Sequence, residues 1–479
     1  MTMKGRRIIY LGFGLMFIII APILVLYATG YRFDTKSNTI IEAGTLLIRT
    51  APKDVEILID DTIKKDKAPA VFTTLLPGKH LVSIQKPLYY PWVQMIEIQP
   101  KMTAFAEHIV LFKSDATSSQ MYKSPIVSSS LTLSPHAKWI GAQSSDATKH
   151  IIVAPVEDAQ NQRIVYSLKQ NEKLIALDWS PSDKKFKLET SQSLQIINTE
   201  RTQERIDVKA LFKYPILESR WHPHDDNIIY IRDKNSLYRL NIASKNITKI
   251  LALQTDIFIT ESNNVYAPFE IQQLSKLYPD LNIPRTLTQS DWVLVRADGR
   301  YENAPPVIDS ALEYFDPASQ ALSFSPDYIG QYNSQTKILS LLARDMSSQP
   351  SAEFPGKIVI PNIEQYEWAP DYSRLILFGS NQLSVLDREL KKVEAKKISS
   401  IEGLPAKFLW FPDFYHILLF YPDTVKVAEL DAFHITPSIN TILTIKQSFT
   451  ARQISNNGKS LFISVDHQKF TEIREYLIH

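Results

Sequence analysis

The apolar positions of this chain follow three successive patterns. The first is continuous: residues 8–31 form a run of 24 without a charged side chain. As helix that run is about 36 Å long, against about 30 Å of bilayer hydrocarbon. A buried core helix is seldom so long and so uniformly apolar. The apolar stretch of a cleaved signal is shorter and ends in a small-x-small site, whereas Leu26-Tyr27-Ala28 puts a bulky residue there. The run therefore predicts an uncleaved signal-anchor, with Pro22 placed to kink it. Lys4, Arg6 and Arg7 precede it, and only Arg32 follows closely. The positive-inside rule then makes residues 1–7 a cytoplasmic tail and residues 33–479 an extracytoplasmic part of a single-pass cell-membrane protein.

The second pattern has period two. After a polar connector, residues 32–43, the region 44–112 alternates apolar and polar side chains in short runs at 44–49, 55–60, 80–85, 93–98 and 106–112. Turn residues separate them, among them Pro77-Gly78 and the charged loop 61–67. Such runs are half-buried strands, and together they predict a small β-sandwich.

The third pattern is a repeat. Beyond a polar linker, residues 113–123, the runs Leu133-Ser134-Pro135, Asp178-Trp179-Ser180-Pro181, Arg220-Trp221-His222-Pro223, Glu367-Trp368-Ala369-Pro370 and Leu409-Trp410-Phe411-Pro412 open similar units. Phe315-Asp316-Pro317 and Gln453-Ile454-Ser455-Asn456 read as weaker copies, and the gap between Pro223 and Pro317 leaves room for one unit near 257–267. Within a unit, a strand ends in an aromatic and x-Pro, where proline suits a type I turn. An apolar strand follows, as at 228–232, 375–378 and 417–421. Two further strands complete the unit. Continuous apolar second strands imply burial on both faces, as between stacked sheets. A period near 42–46 with four strands per unit is the signature of a β-propeller, here of seven or eight blades over residues 124–479. The last unit runs out after its third strand, near 472–478, so the sequence predicts that residues near 121–127 supply its outer strand. Residues 272–281 predict a short helix inserted in one blade. The expected fold class is thus mostly β: a transmembrane helix, a small sandwich and a propeller.

Two resemblances sharpen this picture. Gly44 opening a strand, Pro52 in the first turn, Asp60 after the second strand, Pro69, and Leu76-Pro77-Gly78 before a Val-containing strand resemble a PEGA domain. This small β-sandwich module occurs in bacterial and archaeal envelope proteins. The chain departs from it in having Asp60-Asp61 for the usual Asp-Gly and Leu88-Tyr89 for Gly-Tyr, which implies altered loops in the same fold. The Trp-Ser-Pro-x-Asp run at Trp179 and Trp368-Ala369-Pro370-Asp371 resembles TolB-like and WD-type propeller repeats. That likeness bears on architecture and is nearly silent on function.

Composition narrows the functional classes. Among the 479 residues 44% are hydrophobic and 22% charged, as in folded proteins. Three of the 53 basic residues lie in the N-terminal tail, leaving 50 against 51 acidic ones. A region so close to neutral has no electrostatic footprint for nucleic acid. Cysteine is absent, which removes disulfides, thiol chemistry and Cys-ligated metal. The sequence has no Gly-x-Ser-x-Gly elbow, phosphate-binding glycine loop, His-Glu-x-x-His or sialidase Asp-box. The densest polar cluster, Trp221-His222-Pro223-His224-Asp225-Asp226, offers two imidazoles and two carboxylates. It also occupies the turn filled elsewhere by Ser180-Pro181-Ser182-Asp183, so the repeat explains it without metal. No cofactor is expected. Tyr89, Tyr90 and Trp92 are the conspicuous aromatic cluster: as an interface they would stack on a sugar or lie at a membrane surface, and as strand residues they would pack in a hairpin core.

The expected function is therefore non-catalytic binding or scaffolding at the cell envelope, the propeller being a platform for an envelope protein or a cell-wall glycan. An envelope hydrolase with its site in the propeller funnel is one alternative. A structural subunit of a multi-protein envelope complex is the other.

Overall fold

Helix α1, Met3–Ala28, contains Pro22 within its length. Its segment Leu11–Ala28 is long and apolar enough to cross a membrane, and none of that segment is buried in the protein. The computed structural model describes the chain except residues 1–2, 29, 35–38, 125–131, 145–148, 157, 159–160, 262, 303–304, 313–314, 345–356, 388–395, 431–438, 448 and 468–470. The chain divides into two compact units. One comprises Met1–Ala116, Phe433–Leu443 and Leu477–His479, the other Thr117–Ala432 and Thr444–Tyr476.

In the first unit a hairpin of β1, Tyr31–Asp34, and β2, Thr39–Glu42, follows the helix. Seven more strands follow: β3 Gly44–Ala51, β4 Glu56–Ile59, β5 Thr62–Lys64, β6 Ala70–Leu75, β7 Gly78–Gln85, β8 Trp92–Ile98 and β9 Thr103–Val110. They form two sheets, ordered β6-β3-β9 and β5-β4-β7-β8, with β3 and β9 parallel. Period two sends Leu46, Ile48, Ile57, Ile59, Val82, Ile84, Trp92 and Ile98 into one shared core. The β4–β5 turn is made by Asp60 and Asp61, both at positive φ (51° and 59°). Both central residues of a type I′ turn need that conformation. Asp60 holds it with its side chain: Oδ1 accepts from Leu81 N at 3.0 Å, and Oδ2 faces His80 Nδ1 at 2.5 Å. Gly44 is required by crowding, since a Cβ there would lie 2.4 Å from Ile98 and 2.5 Å from the Gln99 carbonyl.

In the second region the described residues form eight four-stranded sheets. Seven have their strands in chain order: the first begins with Thr132–Leu133, the second with Leu174–Trp179 and the third with Glu218–Trp221. The next four begin with Ile259–Glu261, Gln320–Phe324, Gln365–Trp368 and Lys407–Trp410. The eighth is composite. Phe449–Ile454, Ser460–Asp466 and Thr471–Leu477 are joined by Thr117–Ser124 from the start of the region. That strand begins slightly earlier than the expected 121–127, whose final residues lie outside the described ones. Second strands are largely buried, as in Ile228–Arg232, where only Arg232 is partly exposed, and His416–Phe420, buried throughout.

Apolar layers between successive sheets account for this burial. Val153, Trp179 and Phe186 join the first two sheets, and Ile196, Ile229 and Leu240 the second and third. Tyr230 and Val265 join the third and fourth, Tyr266 and Phe324 the fourth and fifth, Leu341 and Leu375 the fifth and sixth. The rings of Phe378 and Phe408 lie 5.0 Å apart, and those of Phe420 and Phe449 6.5 Å apart. Phe462 and Ile473 of the last sheet then pack with Ile140 and Ile152 of the first. Gln453 Nε2 also donates to the Pro135 carbonyl at 2.8 Å. The succession returns to its start, which is the arrangement of a β-propeller.

Two details differ from or refine the sequence reading. Phe315-Asp316-Pro317 is not a repeat anchor, because it precedes the inner strand Gln320–Phe324 instead of ending it. The true copy is Ser323-Phe324-Ser325-Pro326-Asp327, 44 residues before Pro370. Both runs make turns rich in Asp and Ser, and local chemistry does not tell a sheet-to-sheet connection from a hairpin. The inserted helix runs Ile271–Leu277, between the second and third strands of the fourth sheet, and buries Ile271 and Leu274.

Candidate functional site

Tyr89, Tyr90 and Trp92 lie in three different surroundings, with Tyr89 and Tyr90 in the loop before β8 and Trp92 at its start. Trp92 opens β8 with its ring in the sandwich core, 7% exposed. Tyr89 packs against the same core from its edge and lines a groove of about 970 Å³. Glu56, Lys64, Lys86, Pro87 and Pro91 share that groove. Lys86 Nζ lies 5.6 Å from the Tyr89 ring centroid. Tyr90 Oη donates to the Thr441 carbonyl at 2.7 Å. Of the three aromatics, Tyr89 is the one that offers a ring beside charged and amide groups, the combination that sugars and polar peptides use.

The Trp221–Asp226 cluster lies in the turn between the first two strands of the third sheet. Most of its polar groups are engaged, although Trp221 Nε1 and His222 Nε2 are buried without a hydrogen-bond partner among the described residues. His222 is 5% exposed, and its Nδ1 accepts from His224 N at 3.1 Å, which leaves the ring proton on Nε2. Burial holds the His222 pKa below its ordinary value, with nearby Asp225 pulling the other way. Asp225 Oδ1 accepts from Asn227 N at 2.8 Å. Asp226 Oδ1 accepts from Ser182 N of the preceding turn at 3.0 Å, and the Ser182 hydroxyl donates to its other oxygen. Asp183 repeats the device one sheet earlier, its Oδ1 accepting from His136 N at 3.1 Å. Turn carboxylates therefore tie neighbouring sheets together. In the same spirit Trp179 Nε1 donates to Thr132 Oγ1 at 2.9 Å. Among the described residues no group of three or more His, Cys, Asp or Glu side chains is placed to hold a metal ion.

A polar cleft of about 520 Å³ was not foreseen. Tyr166, Lys169, Glu172, Ser193, Arg205 and Asp207 line it, between the outer part of the first sheet and the second. Glu172 is 2% exposed. It accepts from Tyr166 Oη at 3.0 Å, Ser193 Oγ at 3.3 Å, Lys169 N at 3.1 Å and the Thr190 hydroxyl. Burial pushes its pKa up, but these donors outweigh burial and hold the carboxyl below its ordinary range. A charge so placed is kept ionised and rigid. Lys169, Arg205 and Asp207 give the cleft both signs of charge. The sequence carries no signal for it, because Glu172 sits in a polar loop that reads as solvated.

No family model matches the chain, and no curated protein does. Among solved structures it is similar to the C-terminal WD40 domain of Sif2, with 12% identity, 74% of this chain and 97% of that one covered, and a TM-score of 0.45. A eukaryotic initiation factor has 12% identity, 73% and 91% coverage and a TM-score of 0.44. An oligogalacturonate lyase in complex with manganese has 10% identity, 76% and 98% coverage and a TM-score of 0.40. The propeller assignment rests on the sheet topology and not on these likenesses.

Proposed function

We propose that this chain is a single-pass cell-membrane protein whose extracytoplasmic part binds or scaffolds an envelope protein or cell-wall glycan without catalysis. In this reading α1 is the signal-anchor with residues 1–7 in the cytoplasm, the first β-unit is a PEGA-like sandwich, and the eight sheets are the eight blades of one propeller. The observation that carries the reading is where the polar side chains go. Asp183, Asp226 and Glu172 are consumed in ties between neighbouring sheets, which makes the ring a stiff support. A stiff ring carrying mixed-charge clefts and exposed loop aromatics such as Tyr214 and Tyr301 suits a partner that lies across its surface. The sandwich groove at Tyr89 suits a glycan strand, its ring stacking on a sugar face and Glu56 and Lys64 meeting hydroxyls.

The test is photo-crosslinking in intact cells from positions 214 and 301, with position 89 as a second site. One recurrent protein adduct from the propeller positions, or a glycan adduct from position 89, supports the reading. Protection of the β-domains from protease added to spheroplasts sinks the topology. Turnover of an envelope polymer by purified protein, lost with a single-residue change in the channel, would replace binding by hydrolysis.

A further inference from the structure

The hairpin β1–β2, between the helix and the sandwich, belongs to neither. It pairs Tyr31 with Glu42, Arg32 with Ile41, Phe33 with Ile40 and Asp34 with Thr39. Alternation puts Tyr31, Phe33, Ile40 and Glu42 on one face. On that face the direct partners Phe33 and Ile40 are 58% and 57% exposed. Single exposed apolar residues are ordinary on soluble proteins. An adjacent pair on a two-stranded ribbon with no core of its own is not.

The root of the hairpin is held from both sides. Arg32 Nη1 donates to the Tyr27 carbonyl at 2.8 Å, and its guanidinium lies 3.8 Å over the Tyr27 ring. Ala43 N donates to the Gly30 carbonyl at 2.8 Å, and Lys101 N to the Ala43 carbonyl at 3.2 Å. Tyr31 Oη donates to Glu42 at 2.6 Å, and Lys101 Nζ pairs with Glu42 at 2.5 Å. The ribbon is thus a splint continuous with the end of α1.

We propose that this hairpin is a second lipid contact. Phe33 and Ile40 insert side by side into the headgroup–acyl boundary of the leaflet from which α1 emerges, and Tyr27, Tyr31 and Arg32 form the collar around the exit point. The proposal rests on reading α1 as a membrane span, and adds to it a contact that orients the sandwich on the bilayer. Leu11–Ala28 covers about 27 Å as helix, close to the hydrocarbon thickness, so Ala28 marks the boundary. From Tyr31 to Phe33 a strand advances only about 7 Å, the scale of one interfacial layer. Tyrosines concentrate in that layer, and arginine there meets lipid phosphate.

The chain has no cysteine, so a single introduced thiol can carry a nitroxide. Full-length protein with I18C, F33C, I40C or I63C is reconstituted in phosphatidylcholine–phosphatidylglycerol vesicles. Power saturation against oxygen and a nickel chelate then reads depth. Ile63 is an exposed sandwich position, the water reference. The expected result is a deep position 18, and at 33 and 40 an oxygen-to-nickel accessibility ratio several-fold above that at 63. A deep position 18 with 33 and 40 matching 63 overturns the proposal and leaves the span intact. Water exposure at 18 overturns both. All four side chains are exposed, and parent-like thermal unfolding verifies that each variant is folded.

Discussion

The sandwich and the ring use the same element, a short alternating strand, to opposite ends. In the sandwich two sheets close on one core, so Leu46, Ile57, Val82 and Trp92 all share neighbours. In the ring each sheet has two apolar faces and shares a core with the sheet on either side. The first arrangement is complete with seven strands. The second is complete only when the last sheet meets the first, because any missing sheet leaves two apolar faces and open strand edges. The comparison teaches that a repeat array turns a local defect into a global one, whereas a two-sheet core keeps its defects to itself.

The most damaging change should be deletion of residues 446–479, which removes three of the four strands of the closing sheet. The cooperative thermal transition of the ring should be lost, while deletion of residues 1–112 should leave it in place. A C-terminal truncation that melts like the parent would show that closure is achieved earlier in the chain. Next come matched core cavities. Ile57 in the sandwich and Leu375 in the ring are both fully buried, and Ile57→Ala or Leu375→Ala should each cost about 2–5 kcal/mol. Denaturant unfolding should show the first lowering only the sandwich transition and the second only that of the ring. A common shift would mean that the two regions unfold as one.

A smaller effect is expected at Glu172. Its folded pKa lies below the unfolded one, so its contribution is fully present above about pH 4.5 and is lost as pH falls through the folded value. Glu172→Gln should cost about 2 kcal/mol near neutral pH. The gap between variant and parent stability should then close as pH drops below the carboxylate range. A gap independent of pH would assign the loss to packing. The smallest change has the opposite sign. Leu88 takes a positive φ of 69° with its side chain 78% exposed, a conformation that glycine adopts without strain. Leu88→Gly removes left-handed strain and loses little contact, so the sandwich midpoint should rise, by about 0.5 kcal/mol net of glycine's entropy.

Much of this architecture is written in local chemistry. The apolar run that becomes α1, the period-two strands of the sandwich and the aromatic-x-Pro turns of the repeats each depend on residues close in sequence, so periodicity and turn preference reveal them. Even the composite eighth sheet follows from counting strands in a last unit that ends too soon. Asp60, Asp61 and Leu88 take a left-handed backbone without glycine. Local chemistry fails where a residue's meaning depends on a distant partner. Phe315-Asp316-Pro317 looks like an inner-strand turn and is a connection between sheets. Glu172 looks like a solvated loop acid, yet becomes a buried, four-donor anchor only when Tyr166, Thr190 and Ser193 converge on it from two neighbouring sheets. Sequence periodicity reports which face of a strand is dry. Which strand covers that face, and which polar groups are trapped under it, is decided when the sheets stack, because burial and hydrogen-bond satisfaction depend on neighbours tens of residues away.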